Sequence, residues 1–114
     1  MPKIIIVEDD HTMVSLLKTL LKMEGFEVVD LNVHADIPVE VTREKPDVLL
    51  MDVHLGKRSG IEVVESLRKN PEFSQLNIVM TSGMDLKDEC LDHGADYFIL
   101  KPFMPADLLK VLKG

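Results

Sequence analysis

The stretch Val48-Leu49-Leu50-Met51-Asp52 decides the fold, because four apolar residues in succession are followed by an acid. A short apolar run bounded by polar residues predicts a strand that is covered on both faces. The packing of such a strand does not account for a carboxylate at its last position. In a parallel α/β sheet, ligands bind at the carboxyl ends of the strands, so Asp52 stands where chemistry is expected.

Four further apolar runs indicate strands, and each of them ends at polar or turn-forming residues. The runs are residues 4–7, 28–31, 78–80 and 97–100. The first is followed by three acids, and the last by a lysine and a proline. Residues 48–52 would therefore form the third of five strands.

Amphipathic helices are predicted between these strands. In the clearest one, apolar residues recur three and four positions apart before Gly25 ends the helix. Its predicted apolar stripe is Met13, Leu16, Leu17, Leu20 and Leu21. Shorter helices are predicted around residues 61–67 and 108–112 and over residues 85–93. Residues 35–45 leave helix and loop open, because Pro38 suits a first helical turn whereas Val39 and Val41 are poor helix formers.

Strands that alternate with helices predict a parallel sheet in which right-handed crossovers place helices on both faces. The predicted fold is α/β, a flavodoxin-like doubly wound sheet of five parallel strands in the order 2-1-3-4-5. The length of 114 residues is that of one domain, and no repeat, linker or low-complexity segment divides residues 1–114.

Composition excludes several classes of protein. The formal net charge of −7 argues against a direct nucleic-acid or membrane-surface partner for this chain alone. The single cysteine, Cys90, excludes an internal disulfide and fits a reducing compartment. The apolar part of the N-terminus, residues 4–7, is too short for a signal peptide or a membrane span. A cytoplasmic protein is expected.

Polar side chains follow four of the predicted strands: Glu8 and Asp9, Asp52, Thr81 and Lys101. In the predicted strand order these four ends share one edge of the sheet. Three carboxylates at one edge repel each other unless a cation or protons compensate them. Oxygen ligands beside a surface cleft suit Mg²⁺. With an ammonium and a hydroxyl added, the set contains the groups that accept a phosphoryl group on a carboxylate.

This arrangement resembles the receiver domain of two-component response regulators, and the resemblance covers essentially the whole chain. Each motif by itself is weak evidence for the family, whereas the complete set, in this order and at the strand ends, is specific to it. The motifs are residues 5–10, residues 46–52, Gly60, residues 80–83, residues 94–96 and residues 101–103.

The resemblance implies that Asp52 is phosphorylated, with Mg²⁺ as cofactor, by a sensor histidine kinase or a phosphotransfer protein. It implies that Asp9 and Asp52 bind the metal directly and that the backbone carbonyl of His54 is a further ligand. Glu8 would bind the metal through water. The domain would catalyse its own phosphorylation and dephosphorylation and would not be a metabolic enzyme.

The resemblance also assigns residues to the response. Thr81 would follow the phosphoryl group, Lys101 would pair with it, and Phe98 would swing inward. The Lys101–Pro102 peptide bond would be cis. The surface so changed would bind a downstream protein or an output domain, or a second copy in a phosphorylation-dependent dimer. No output domain is expected within residues 1–114.

Two features depart from the family pattern. Position 56 is glycine where the family most often has proline, which predicts a looser loop that still offers the His54 carbonyl. Residues 82–93 are fewer than usual, which predicts a shortened or displaced fourth helix and puts the usual partner surface in question.

Three alternatives of other classes remain open. An FMN-binding redox protein of this fold needs a phosphate-binding loop after the first strand, where this chain has three acids. An aspartyl-phosphate hydrolase with a small-molecule substrate needs a second acid two residues after the nucleophile, and here that residue is His54. A receiver-like docking module would bind its partners without phosphorylation.

Overall fold

The computed structural model describes residues 1–113, which form a five-stranded parallel sheet. The strands are β1 (Lys3–Val7), β2 (Glu27–Leu31), β3 (Val48–Asp52), β4 (Asn77–Ser82) and β5 (Tyr97–Leu100). Their order in the sheet is β2-β1-β3-β4-β5, and all four neighbouring pairs are parallel. The predicted topology is confirmed.

Four α-helices and one short 3-10 helix connect the strands, and a fifth α-helix follows β5. The α-helices are α1 (His11–Met23), α2 (Ile37–Glu44), α3 (Gly60–Arg68), α4 (Lys87–Asp92) and α5 (Pro105–Lys113), and the 3-10 helix is Pro71–Phe73. In the part of the chain that the structure describes, no helix has both the length and the apolar character needed to cross a bilayer.

The sheet separates two apolar layers, because side chains of successive strand residues point to opposite faces. One face packs against α1 and α5, and the other packs against α2, α3 and α4. All five residues of β3 are buried, as expected for a central strand covered on both sides. Its last residue, Asp52, is thereby held at the edge of a rigid core.

The buried stripe of α1 differs from the predicted one. Val14, Leu17 and Leu21 face the sheet, whereas Leu16 is 53% exposed. The two stripes share Leu17 and Leu21, and both show the spacing of an amphipathic helix; the observed one contains Val14 where the predicted one contains Leu16. The structure starts the helix after Asp10, whose side chain accepts a hydrogen bond from the Met13 amide, and that start is compatible with the Val14 stripe.

The segment that the sequence left open is helical. The Asp36 side chain caps α2 by accepting a hydrogen bond from the Val39 amide, and Pro38 lies in the first turn. Ile37 and Val41 are buried on the side of the helix that faces the sheet. The cap and this burial outweigh the low helix propensity of the β-branched residues.

The loop that contains Gly56 forms a small hairpin of two-residue strands, His54–Leu55 and Arg58–Ser59. Gly56 lies in its turn with a φ of 61°, a conformation that proline with its fixed negative φ cannot adopt. The glycine that departs from the family pattern therefore fits a tight turn rather than a loosened loop.

The fourth helix is short, as predicted. Helix α4 has six residues and begins two residues later than expected, since residues 83–84 form a bend and residues 85–86 are irregular. Cys90 is 1% exposed and anchors the helix in the apolar layer that α2 and α3 also line.

Candidate functional site

The carboxyl ends of four neighbouring strands bring the predicted polar residues to one edge of the sheet. The strand register places Asp52 beside Thr81, and Glu8 directly follows β1. Glu8 is 7% exposed, Asp52 6% and Thr81 1%. Three polar side chains are thus buried at one edge, where each needs a partner.

Lys101, which follows β5, supplies the central contact. Its ammonium donates hydrogen bonds to both carboxylate oxygens of Glu8, at 2.8 and 3.0 Å, and to Oδ2 of Asp52. The Lys101–Pro102 peptide bond is cis, as the resemblance implied. The ammonium therefore lies between the two buried acids.

The other oxygen of Asp52 is held by the hairpin. The His54 amide donates to Oδ1 of Asp52 at 2.7 Å, while the imidazole of His54 is exposed. The Gly60 amide donates to the Val53 carbonyl at 2.6 Å. Hydrogen-bonded and non-hydrogen-bonded pairs alternate along an antiparallel ladder. Since Val53 and Gly60 are hydrogen-bonded, the next pair, His54 and Ser59, is not. The His54 carbonyl therefore makes no hydrogen bond within the hairpin.

One ammonium does not fully compensate two buried carboxylates. Burial raises the pKa of Glu8 to about 7, and the hydrogen bond with Asp52 adds to this rise. Burial acts in the same direction on Asp52, but its hydrogen bonds outweigh burial and hold the pKa of this carboxyl below its ordinary value. Asp52 is therefore ionised at neutral pH, whereas Glu8 retains a proton up to about pH 7.

Asp9 stands apart from this contact and is exposed at the edge of the site. No three His, Cys, Asp or Glu side chains within residues 1–113 converge as a closed metal-binding cluster. The oxygen donors still suit Mg²⁺, which takes few protein ligands and keeps several waters. The single Lys101 ammonium also faces two buried carboxylates, so it can balance the charge of only one of them.

Thr81 and Phe98 connect the site to β5. The Thr81 hydroxyl donates to the Ile99 carbonyl at 2.8 Å, so the hydroxyl is already bonded to the neighbouring strand. Phe98 precedes that carbonyl and is half-buried against the apolar layer of α2, α3 and α4. A change at Thr81 would thus act directly on the backbone of β5.

Two residues contribute to the site in ways that the sequence did not indicate. A Cβ on Gly60 would lie 2.4 Å from the Asp52 carbonyl oxygen, so Gly60 permits the close approach of α3 to β3. Arg58 donates from the hairpin to the backbone that follows β2. The sequence motif included Gly60 but did not show why the residue must be small. The backbone contacts of Arg58 could not be predicted, because a charged residue in a loop carries no pattern that indicates its partners.

The charge state of Glu8 leads to a prediction for the metal-free protein. With chelator present, the free energy of unfolding should fall as the pH rises from about 4.5 to about 7, because only the folded state retains the proton on Glu8. Glu8→Gln should remove this decline. Chemical unfolding measured across that pH range tests it.

Asp52 and His93 also have shifted pKa values, but they titrate outside most of the range from pH 4.5 to 7. The lowered pKa of Asp52 affects stability only below about pH 4. His93, whose pKa is raised by its bond to the Glu89 carbonyl, acts in the same direction as Glu8 but only above pH 6.5. His93→Gln is therefore the control for the upper part of the range. An unchanged slope between pH 4.5 and 6.5 in Glu8→Gln would contradict the assignment.

Comparison with known proteins decides the family. The family model described as the response regulator receiver domain matches residues 4–113. The chain belongs to this family. Receiver domains are the phosphoryl-accepting modules of two-component signalling systems. Membership of this family excludes the alternatives of a flavin-binding protein and a small-molecule hydrolase.

The relatives of this receiver domain are bacterial regulators. It is 34% identical to the phosphate regulon transcriptional regulatory protein PhoB of Rhizobium meliloti, matching all of this chain and 52% of that protein. It is also 34% identical to the transcriptional regulatory protein CpxR of Escherichia coli K12, matching all of this chain and 49% of that protein. The receiver domain thus spans about half the length of these curated relatives.

Solved structures agree with the fold. A putative response regulator from Chloroflexus aurantiacus superposes with a TM-score of 0.89 at 28% identity, over 99% of this chain and 96% of that one. The BeF3-activated N-terminal receiver domain of Klebsiella pneumoniae RstA superposes with a TM-score of 0.85 at 32% identity, over 97% of this chain and 95% of that one.

Proposed function

We propose that this receiver domain accepts a phosphoryl group on Asp52 from the phosphohistidine of a sensor histidine kinase or a phosphotransfer protein. The observation that carries the proposal is the buried Asp52 carboxylate at the end of β3, held by Lys101 at one oxygen and by the His54 amide at the other. These bonds keep Asp52 ionised and oriented. A carboxylate oxygen forms the bond to phosphorus as the bond to the donor nitrogen breaks.

The same edge of the sheet supplies ligands for Mg²⁺. Asp9, Asp52 and the free carbonyl of His54 would hold the ion, with Glu8 acting through a water molecule. When bound, Mg²⁺ supplies positive charge against the phosphoryl oxygens. The contact of one ammonium with two buried carboxylates supports this proposal, because Lys101 can compensate only one of the two negative charges.

The residues around Asp52 then have separate tasks. Lys101, which pairs with both Glu8 and Asp52 in the structure, would transfer one of its hydrogen bonds to the phosphoryl group. Thr81 would donate its hydroxyl to the same group. Phosphorylation replaces the ionised carboxylate by a group that carries nearly two negative charges and three acceptor oxygens, which gives both donors new partners.

Magnesium binding provides the experiment that tests this function. Asp9→Asn should weaken Mg²⁺ binding by about tenfold or more, because it removes the charge of a direct ligand. In the wild-type protein Mg²⁺ should raise the melting temperature, since it binds the folded state. Titration calorimetry measures the first effect and thermal unfolding the second.

Asp10→Asn is the matched control for this experiment. Asp10 is the next residue along the chain, and its side chain caps α1. Asparagine keeps that cap, so this variant should bind Mg²⁺ nearly as tightly as the wild type. Equal affinities in Asp9→Asn and Asp10→Asn would remove Asp9 from the metal site.

Phosphorylation is expected to change the surface formed by α4, β5 and α5, which is the surface proposed for a downstream partner. The Thr81 hydroxyl must leave the Ile99 carbonyl before it can donate to a phosphoryl group. That exchange frees the backbone beside Phe98 and lets the half-buried ring repack. The partner would be a downstream protein, an output domain or a second copy of this chain.

Nuclear magnetic resonance tests this change with beryllofluoride, the ligand that also activates the RstA receiver domain of Klebsiella pneumoniae. Adding beryllofluoride and Mg²⁺ should shift amide resonances over residues 85–100 as well as those beside Asp52. Shifts confined to Glu8, Asp52 and Thr81 would show that α4 and β5 are not the output surface.

A further inference from the structure

Arg58 ties the hairpin over residues 54–59 to a distant part of the chain. Its Nη2 donates to the Val33 carbonyl and, at 2.9 Å, to the Ala35 carbonyl. Both acceptors lie between β2 and α2, at the same edge of the sheet as Asp52. One guanidinium nitrogen therefore joins two loops that flank the site.

The guanidinium of Arg58 uses only part of its hydrogen-bonding capacity within the described residues. The Nε of Arg58 is buried and has no hydrogen-bond partner within residues 1–113. A buried donor without a partner opposes folding, so most such groups in proteins are paired. The two carbonyl contacts are therefore the hydrogen bonds that hold the Arg58 side chain within the described residues.

The hairpin connects Arg58 to the residue that contacts Asp52. Arg58 pairs with Leu55 across the hairpin, and His54 is the next residue along that strand. The turn between them is tight, with Gly56 at positive φ. A Cβ on Gly56 would be 3.4 Å from Cε1 of His34, so the turn also packs on the segment that Arg58 holds.

We infer that Arg58 is a positioning residue for the His54 main chain. It holds the hairpin so that the His54 amide reaches Oδ1 of Asp52, at 2.7 Å, and so that the His54 carbonyl stays at the metal site. This inference rests on the proposed function, because it concerns the same carbonyl and carboxylate. Arg58 itself touches neither Asp52 nor a ligand of the metal through its guanidinium in the structure.

The test compares Arg58→Gln and Arg58→Lys with Arg68→Gln. Arg68 is the control, because its guanidinium also donates to two backbone carbonyls away from the site, those of Gly94 and Phe73; unlike Arg58, it pairs with a carboxylate as well, that of Asp96. Three quantities are measured: the hydrogen-exchange rate of the His54 amide in metal-free protein, the Mg²⁺ dissociation constant and the melting temperature.

Arg58→Gln should speed exchange of the His54 amide and raise the Mg²⁺ dissociation constant, each by about tenfold. Its melting temperature should change little, because the variant also removes the unpaired Nε donor. Arg58→Lys should lie between this variant and the wild type. Arg68→Gln should lower the melting temperature and leave the other two quantities unchanged.

The inference is overturned if Arg58→Gln shows the wild-type exchange rate of the His54 amide and the wild-type Mg²⁺ affinity. It is also overturned if Arg58→Gln and Arg68→Gln change these two quantities equally. The proposed function is judged separately by Asp9→Asn. If that variant weakens Mg²⁺ binding while Arg58→Gln does not, only the positioning role fails. If the wild type binds no Mg²⁺, the proposed metal site fails, and exchange of the His54 amide still decides the role of Arg58.

Discussion

Asp52→Asn is expected to take up no phosphoryl group from a small-molecule phosphodonor in the presence of Mg²⁺. The amide has nearly the shape of the carboxylate, so the fold should persist, but it is a far weaker nucleophile. Its oxygen can still accept a hydrogen bond from Lys101, the partner of Asp52 in the structure. Intact-protein mass spectrometry over a time course measures the uptake.

Asp30→Asn is the control for this variant. Asp30 lies in the edge strand β2, is exposed and pairs with Lys18 instead of the site. This variant should be phosphorylated at the wild-type rate. Uptake by Asp52→Asn at that rate would exclude Asp52 as the acceptor. A wild-type protein that is never labelled would favour the alternative of a docking module that works without phosphorylation.

Gly60→Ala is expected to destabilise the protein by about 3 kcal/mol and to displace Asp52. The added methyl group would lie 2.4 Å from the Asp52 carbonyl oxygen, 3.1 Å from the Val53 Cα and 3.0 Å from the Met80 side chain. Two of these three atoms belong to the backbone, which cannot move aside without shifting β3. Chemical denaturation measures the loss, and the Mg²⁺ dissociation constant should rise with it.

Gly83→Ala separates this steric effect from a general effect of losing glycine. No atom lies within 4 Å of the Cβ position of Gly83, and its φ is not in the left-handed region. The variant should be neutral or more stable by about 0.5 kcal/mol, because alanine restricts the unfolded chain. Similar losses of stability in both variants would contradict the close approach at Gly60.

The sequence predicted the topology and the composition of the site for one physical reason. Buried parallel strands are short apolar runs, and their carboxyl ends meet at one edge, so Asp52 and Lys101 could be placed near each other from their positions in the chain. The contact between them and Glu8 follows from that placement together with the need to compensate buried charge.

The sequence did not predict features for which two local conformations, or two faces of a helix, are similarly favourable. Two stripes of α1 fit the helical period, and contact with the sheet selects the one that contains Val14 instead of Leu16. Helix α2 forms against the propensity of its β-branched residues because Ile37 and Val41 are buried. The contacts of Arg58 join segments more than twenty residues apart, which no local pattern encodes.

Mapping of the phosphorylated residue tests the central proposal most directly. The protein is incubated with a phosphodonor and Mg²⁺, trapped by borohydride reduction of the acyl phosphate, digested and sequenced by mass spectrometry. The modification is predicted at Asp52 alone. Modification at Asp9, Asp30 or another carboxylate instead, or a stable phosphoryl group on one of the four histidines with Asp52 unmodified, would contradict the proposed role of Asp52.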